Sequence, residues 1–251
     1  LEQMGITHHR LTRPLIGLTA TPFRGKSTVE TERLITRYGS NRVDEGVLGE
    51  DPYGRLQDMG ILARTDHDVL EGGKLELTSR ELDMMSMGRG TLPPDAERRL
   101  AEDHSRNRTL IKALLGLDRE WPVLVFATSV NHARFLAAVL NDQGVHSASV
   151  DSETPTVRRQ QIIEQFGKGR IRVLTNYGVL HQGFDAPATR VVVVARPTYS
   201  PNVYQQMIGR GLRGPRNNGT ERCLILNVSD NVINHQQQLA FTDFEQMWRE
   251  S

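Results

Sequence analysis

The segment Arg172–Arg213 constrains the fold most strongly, because it predicts two strands and a helix in close succession. Arg172–Thr175 is a short apolar run containing β-branched residues, and Arg190–Ala195 is a continuous apolar run. A continuous run of this kind is typical of a parallel strand that is covered on both faces. Ser200 and Pro201 then form a helix start, with a hydroxyl at the N-cap and a proline at the first helical position. The segment therefore predicts part of a parallel sheet.

The same alternation of strand and helix occurs on both sides of this segment. Pro122–Ala127, Val145–Val150 and Arg222–Val228 are predicted strands, and helices are predicted to start at Ser129 and around Thr154. Strand, helix and strand joined by short connections imply a parallel sheet with right-handed crossovers. The sequence therefore predicts an α/β fold with helices on both faces of the sheet.

The helix predicted after Ser200 carries two arginines. Gln206, Arg210 and Arg213 are spaced i, i+4 and i+7, so they are predicted to lie on one face. Each of the three glycines in residues 209–214 weakens a helix by up to about 1 kcal/mol, and glycine also lets a backbone or a ligand come close. An arginine pair at the end of a packed helix suits a polyphosphate, although an ordinary solvated basic face is the alternative.

Three segments resemble motifs of superfamily 2 helicases. Gln206–Arg213, with the sequence QMIGRGLR, resembles the sixth motif, although Leu212 stands where a second glycine is usual. Thr175–Pro187, which ends in GFDAP, resembles the fifth motif, and Thr19–Pro22, with the sequence TATP, resembles the third. The order of the motifs also resembles that of the family. The forms GFDAP, ARPT and QMIGRGLR look closest to RadD-like DNA repair helicases and to the motor subunits of restriction enzymes.

The resemblance implies an ATP site. Arg210 and Arg213 would reach the β- and γ-phosphates as catalytic groups, and Gly183 and Asp185 would contact the ribose. A guanidinium can stabilise the negative charge of phosphoryl transfer, and such an arginine is worth about 10³–10⁵ in rate. Both motif segments are expected near the carboxyl ends of strands, where ligands bind in open parallel sheets. For the segment around Asp185, the alternative is an ordinary turn.

The sequence contains no G-x-x-x-x-G-K-[ST] phosphate loop, and no Asp-Glu pair of the DEAD or DEAH kind precedes the TATP segment. We therefore expect ATP with Mg²⁺ to bind at a site that an upstream motor domain completes. The isolated chain is predicted to be inactive as an ATPase. No metal site is predicted within the chain itself.

Nucleic acid would be held through its phosphates by hydroxyls, amides and helix N-termini. The candidates that follow strand ends are Thr128, Ser129, Thr175 and Asn176. For Ser129, capping of the following helix is an equal alternative. Coupling between nucleotide and nucleic acid is assigned, by resemblance, to Thr19, Thr21 and Gln206. DNA is expected in preference to RNA, through backbone contacts and without strong sequence preference.

Composition limits the remaining possibilities. The chain has 31 basic and 30 acidic residues, so a nucleic-acid surface would be a local patch. Cys223 is the single cysteine, which excludes an internal disulfide, and it is predicted to be buried and inert. No apolar span of membrane length and no signal-peptide pattern occurs, so we expect a cytoplasmic protein without a membrane partner.

Four domains or segments are predicted. Residues 1–40 are interpreted as the end of a first RecA-like motor domain. Residues 41–118 are interpreted as a connector with short strands at Leu62–Val69 and Lys74–Thr78 and a helix between Pro94 and Gly116. Residues 119–230 are predicted to form a second RecA-like domain with a parallel sheet, and residues 231–251 a tail helix. The apolar residues of that tail are Leu239, Phe241, Phe244 and Trp248.

We therefore expect the C-terminal portion of an ATP-dependent nucleic-acid helicase or translocase. One alternative is the motor fragment of a restriction endonuclease. Another is a non-catalytic module that binds nucleic acid or protein and retains the fold. Arg210, Arg213 and Asp185 together disfavour the non-catalytic alternative, because such a module has no need of them.

Overall fold

The computed structural model describes residues 6–7, 10–11, 51–87, 92–179 and 188–233. The chain divides into two compact units, Leu1–Pro52 and Tyr53–Ser251. Within the first unit, the described residues form two short antiparallel strands, β1 (Ile6–Thr7) and β2 (Arg10–Leu11). The TATP segment and the predicted tail helix lie outside the described residues.

The second unit alternates strands and helices. Its described strands are β3 (Arg64–Glu76), β4 (Val123–Phe126), β5 (Ser147–Val150), β6 (Val173–Asn176), β7 (Val191–Val194) and β8 (Arg222–Ile233). Its described helices are α1 (Pro52–Asp58, which begins at the boundary), α2 (Ser79–Met87), α3 (Pro94–Glu102), α4 (His104–Gly116), α5 (Val130–Asp142), α6 (Thr156–Gly167) and α7 (Pro201–Ile208). A short 3₁₀ helix spans Pro215–Asn217.

The six strands form one sheet in the order β3-β8-β7-β4-β6-β5, and every neighbouring pair is parallel. The central strand β4 pairs with β6 on one side and with β7 on the other, so that Val123 lies opposite both Val173 and Val191. The prediction of a RecA-like parallel α/β fold is confirmed. Among the described residues, no helix is both long and apolar enough to cross a membrane.

The core lies on both faces of the sheet because the strand residues alternate between the two faces. On one face, Leu124 and Val192 pack with Phe166 of α6 and Met207 of α7. On the other face, residues such as Val125 pack against α4 and α5. The four residues of each of β4, β6 and β7 are buried, which explains why these strands read as continuous apolar runs.

Strand β3 differs from the expectation for the connector. The sequence suggested short strands at Leu62–Val69 and Lys74–Thr78, whereas Arg64–Glu76 forms one strand that pairs with β8. The register shifts between Glu71 and Lys74. At this point β3 lies so close to β8 that a Cβ at Gly72 would lie 2.7 Å from the backbone nitrogen of Asp230. The glycines therefore mark an irregularity within a strand, not its end. The predicted domain boundaries themselves stay predictions.

The predicted helix between Pro94 and Gly116 is divided in two. Asp103 has extended backbone angles and ends α3, and its carboxylate accepts a hydrogen bond from the backbone N–H of Arg106 at 3.0 Å. This is an N-cap for α4.

Candidate functional site

The two arginines do not lie on the predicted helix face. Helix α7 ends at Ile208 with Gly209 as its C-cap, and Arg210 and Arg213 belong to the segment that follows. Arg210 is half-buried, and its Nε donates a hydrogen bond to the carbonyl oxygen of Gln206 at 3.2 Å. Burial lowers the pKa of Arg210, yet a guanidinium keeps its charge at neutral pH.

Arg213 lies at the amino edge of the sheet, not at the carboxyl edge. It forms an antiparallel bridge with Leu62, and Ala63 donates its N–H to the carbonyl of Leu212 at 2.9 Å. Leu62 and Ala63 directly precede β3. A helix that connects parallel strands runs back across the sheet, so its last turn returns to the edge where strands begin. The expectation that both motif segments sit at the carboxyl edge is therefore wrong for Arg213.

The segment that carries the arginines is held against the protein itself. A Cβ at Gly211 would lie 2.7 Å from Cγ2 of Val192 and closer still to Sγ of Cys223. The backbone N–H of Gly214 donates to the carbonyl of Ile61 at 2.9 Å. The close approach expected at these glycines is therefore made by the core and by the segment before β3. These contacts fix the backbone on both sides of the arginines.

At the carboxyl edge, three predicted nucleic-acid contacts are buried side chains. Thr128 donates its hydroxyl to the carbonyl of Ala195 at 3.1 Å, and Thr175 donates to the carbonyl of Ala133 at 2.7 Å. Asn176 donates from Nδ2 to the carbonyl of Val125 at 2.9 Å. These side chains tie strands and helices together. Their predicted contacts with a polynucleotide stay predictions.

Ser129 takes the capping role that the sequence left as the alternative. Its Oγ accepts the backbone N–H of His132 at 3.1 Å, and this satisfies one of the free donors at the start of α5. The side chain is only partly buried, so it stays at the surface of the carboxyl edge. The start of α5 therefore presents backbone N–H groups and a hydroxyl at the end of β4.

A buried ion pair at the same edge was missed by the sequence analysis. The side chains of Arg106 and Asp230 are both fully buried, with Nε to Oδ1 at 2.6 Å and Nη2 to Oδ2 at 2.9 Å. Asp230 also accepts the N–H of Gly73 at 2.8 Å, and Arg106 donates to the carbonyl of Ala195. The pair joins α4 to β3, β7 and β8. A signal was present, since Arg106 lies four residues before Leu110 on the apolar face of its helix.

His132 extends this buried polar cluster. Its Nδ1 accepts the backbone N–H of Thr128 at 3.2 Å, so Nε2 carries the proton and donates to Oδ1 of Asn107 at 2.9 Å. Burial, and then the positive charge of Arg106, lower the pKa of His132 to about 3. The ring is therefore neutral at physiological pH and acts as a hydrogen-bonded strut between α4 and α5.

A second polar cluster joins the loops after β6 and β7. Glu97 of α3 accepts hydrogen bonds from Nη2 of Arg196 at 2.9 Å and from the hydroxyl of Tyr177 at 2.8 Å. The Arg196 guanidinium also lies 5.0 Å from the centre of the Tyr177 ring. Burial, followed by the hydrogen bond to Glu97, raises the pKa of Tyr177. This cluster fixes the start of the loop after β6, which lies within the fifth-motif segment, and the start of the loop after β7, which leads into α7.

Four predicted site residues are outside the part of the chain that the structure describes. They are Thr19 and Thr21 of the TATP segment and Gly183 and Asp185 of the GFDAP segment. Ala188 and Arg190, which follow GFDAP, are described and lead directly into the amino end of β7. Their roles, and that of Gln206 in coupling, stay predictions.

Comparison with known proteins gives the family. Residues 105–214 match the model of the helicase conserved C-terminal domain. They form a superfamily 2 helicase C-terminal domain. The matched range runs from α4 to the arginine segment, so it includes four of the six strands, β4 to β7, and both motif segments at 175–187 and 206–213.

Two curated relatives of this helicase C-terminal domain are named as ATP-dependent helicases. IRC3 of Saccharomyces cerevisiae is 34% identical over 110 residues, which cover 43% of this chain and 16% of that protein. DbpA of Escherichia coli, named as an ATP-dependent RNA helicase, is 28% identical over 123 residues, which cover 49% of this chain and 27% of that protein. The chain thus matches less than a third of the length of these relatives.

Among solved structures, a fragment named as an HsdR subunit of a type I restriction enzyme from Vibrio vulnificus aligns with a TM-score of 0.50 and 20% identity. The alignment covers 78% of this chain and 41% of that chain. Identity at this level shows a shared fold and no more. The second unit therefore shares its fold with that fragment.

Proposed function

We propose that this domain is the second motor lobe of an ATP-dependent helicase or translocase, with different tasks at the two edges of its sheet. The amino edge would present Arg210 and Arg213 to the phosphates of ATP. The carboxyl edge, with the start of α5 and the loops after β6 and β7, would face the nucleic-acid backbone. An upstream motor domain would supply the phosphate loop and the ligands of Mg²⁺.

The observation that carries this proposal is the position of the arginine segment. It is held by backbone hydrogen bonds to residues 61–63 and by close packing at Gly211. A guanidinium that is already positioned need not be ordered when ATP binds, so more of its charge stabilisation is available to the transition state. An ordinary solvated arginine would gain nothing from such a rigid backbone.

The carboxyl edge suits a polynucleotide for a different reason. Helix N-termini and backbone N–H groups bind phosphates without reading bases. Ser129 and the start of α5 lie there, as do the loops that the Glu97 cluster fixes. We propose contacts of this backbone type, with DNA as the substrate, whereas DbpA is named as acting with RNA.

The test uses a protein in which this domain is joined to the proposed upstream motor domain. Arg210→Ala should lower nucleic-acid-stimulated ATP hydrolysis by about 10³-fold or more, because it removes a charge from the transition state. Binding of a DNA oligonucleotide, measured by fluorescence anisotropy, should be largely unchanged. Arg216→Ala is the matched control, since Arg216 is an exposed arginine in the same segment, on the 3₁₀ helix, and should leave hydrolysis unchanged.

Two results would refute the proposal. Loss of DNA binding by Arg210→Ala with hydrolysis retained would assign the arginine segment to the polynucleotide. Equal hydrolysis by Arg210→Ala and by the control would show that this arginine contributes nothing to phosphoryl transfer. A comparison of stimulation by DNA and by RNA of the same sequence separately tests the choice of substrate.

A further inference from the structure

A groove runs between helices α4 and α5 on the surface of the second unit. Its volume is about 580 Å³. Asn107 of α4 lines it, and the Oδ1 of this residue accepts the hydrogen bond from Nε2 of His132 of α5 at 2.9 Å, so the two helices are joined there. Both helices also pack on the sheet through buried side chains such as Leu110 and Leu136. The groove is therefore built on helices that the core holds in place.

One end of the groove lies at the carboxyl edge of the sheet. Arg106, in the first turn of α4, donates to the carbonyl of Ala195, which directly follows β7. Helix α5 begins soon after the end of β4, with Ser129 as its N-cap. Both helices start at this edge and run back across the sheet, so the groove leads from the carboxyl edge toward the amino edge. It is continuous with the face that is proposed to hold a nucleic-acid backbone.

The α4 side of the groove carries a line of exposed basic side chains. His104, Arg108 and Lys112 line the groove at intervals of four residues, so each lies about 6 Å further along the helix. None of the thirteen residues of α4, all of which are described, is acidic. Such a line matches the repeating negative charge of an extended nucleic-acid strand. In a chain with 31 basic and 30 acidic residues, it is the kind of local patch that nucleic acid requires.

Apolar side chains lie beside these basic groups. Phe135 of α5 is 43% exposed and Leu115 of α4 is 39% exposed, and both line the groove together with Ile111. Single exposed apolar residues are common, whereas several that meet in one groove mark an interaction site. An exposed aromatic ring beside cations allows a base to stack while its phosphate is neutralised. Bases of a duplex are already stacked within it, so this combination suits a single strand.

We propose that the groove binds a single-stranded polynucleotide, with phosphates on Arg108 and Lys112 and a base stacked on Phe135. This inference rests on the proposed function, because it extends the polynucleotide from the carboxyl edge onto the outer surface of α4 and α5. His104 and Leu115 lie about 16 Å apart along the helix axis, which is enough for a few nucleotides. An amphipathic protein helix is the other common occupant of such grooves, but the line of cations beside the ring favours the polynucleotide.

Fluorescence anisotropy of a fluorescein-labelled oligothymidylate, titrated with the full chain, tests the basic line. Arg108→Ala combined with Lys112→Ala should lower the slope of log K against log salt concentration by about 1.4, since each phosphate contact with a single strand contributes about 0.7. Lys168→Ala combined with Arg170→Ala is the matched control, because it removes the same charge from exposed positions at the end of α6, on the other face of the sheet. The control should leave the slope unchanged.

Variants of Phe135 test the stacked base. Phe135→Ala should weaken binding by about tenfold, a loss typical of one base–aromatic stack, and should leave the salt slope unchanged. Phe135→Trp keeps an aromatic ring and should bind as tightly as the unmodified chain. Phe135 is already exposed, so the fold should tolerate both changes, and circular dichroism checks this.

Photo-crosslinking locates the contact directly. An oligothymidylate that carries an iodouracil base at successive positions is irradiated in complex with the full chain, and the modified peptide is identified by mass spectrometry. A crosslink to Phe135 is expected from the position at which the base stacks on its ring. The double variant of Arg108 and Lys112 should give a weaker crosslink, whereas the control double variant should not.

Several outcomes would overturn the proposal. They include failure of the chain to bind oligothymidylate, and equal binding by the groove variants and the control. A loss of binding on removal of the two cations that Phe135→Ala does not share would indicate contact with any polyanion, without stacking. An oligomer of the chain that Phe135→Ala dissociates, with oligothymidylate binding unchanged, would assign the groove to a second copy. The proposed function is judged separately, by ATP hydrolysis in Arg210→Ala, so failure of the groove is distinguishable from failure of that proposal.

Discussion

Removal of one partner of the buried Arg106–Asp230 pair should destabilise the domain severely. In Asp230→Ala, the guanidinium of Arg106 would lose hydrogen bonds of 2.6 and 2.9 Å and remain buried without its counter-charge. The N–H of Gly73 would also lose its acceptor. Both losses are uncompensated because the two side chains are completely buried, so bulk water cannot replace the lost hydrogen bonds.

The expected magnitude comes from the cost of an uncompensated buried charge. Breaking a buried pair by removing one partner costs about 3–5 kcal/mol. The free energy of unfolding of a typical domain is about 5–15 kcal/mol, so the loss is a large fraction of the total. In the double variant Arg106→Met with Asp230→Leu, no charge is left unpaired, and the carbonyl of Ala195 still accepts the hydroxyl of Thr128. This double variant should be more stable than Asp230→Ala.

Urea unfolding followed by circular dichroism measures these changes, because the midpoint shifts while the slope should stay constant. The exposed pair between Arg64 and Asp58 is a matched control, since its nitrogen–oxygen distance of 2.8 Å is similar. Its side chains are 61% and 72% exposed, so Asp58→Ala should cost less than about 1 kcal/mol. The comparison separates burial from distance.

The reasoning about burial fails if Asp230→Ala costs no more than Asp58→Ala. It also fails if the double variant is less stable than Asp230→Ala, because the damage would then come from lost packing or hydrogen bonds and not from the unpaired charge. Native-state hydrogen exchange at α4 and β3 would show whether the loss begins where the pair joins these elements.

Three further predictions follow from packing and burial. Gly211→Ala should cost about 1–3 kcal/mol in urea unfolding, since its methyl would meet the core, while Gly116→Ala, with open space around it, should be near neutral. Although burial alone raises the pKa of Asp151, the hydrogen bonds that it accepts, chiefly from Arg134, lower it. Its ionised form therefore stabilises the fold above the unfolded pKa of about 3.9, and this contribution is lost as pH falls through the lower folded pKa. In Asp151→Asn, the free energy of unfolding should therefore fall less steeply as the pH is lowered through this range. Burial raises the pKa of Cys223 to about 12, so its alkylation by iodoacetamide should be negligible until urea unfolds the chain.

The sequence was sufficient to predict the sheet because its central strands are buried on both faces. Val191–Val194 is an example, since a run of β-branched residues flanked by turn signals has few alternatives. Helix capping also depends on local sequence, so an N-cap role for Ser129 could be predicted, as one of two alternatives, from its position alone. These features depend on near neighbours in the chain, which the sequence shows directly.

The errors concern contacts between distant residues. Helical spacing placed Arg213 on a helix face, but the chain leaves the helix at Gly209 because Leu212 and Arg213 pair with the segment before β3. Strand β3 was divided in two because the glycines near residue 72 read as a break. The pairing of Arg106 with Asp230 likewise brings together residues from distant parts of the chain. Periodicity describes one element at a time and cannot show which element lies beside it.

The position of β3 in the sheet affects the order in which the protein can fold during synthesis. Among the described strands, β3 pairs with β8 alone, with Arg64 opposite Arg222, so β3 leaves the ribosome long before the strand on which it is seated. Until β8 is made, β3 lacks the strand with which it pairs among the described residues. Ribosome-bound chains that stop before residue 222 should therefore depend on chaperones, and charged residues along β3 would help to keep them in solution.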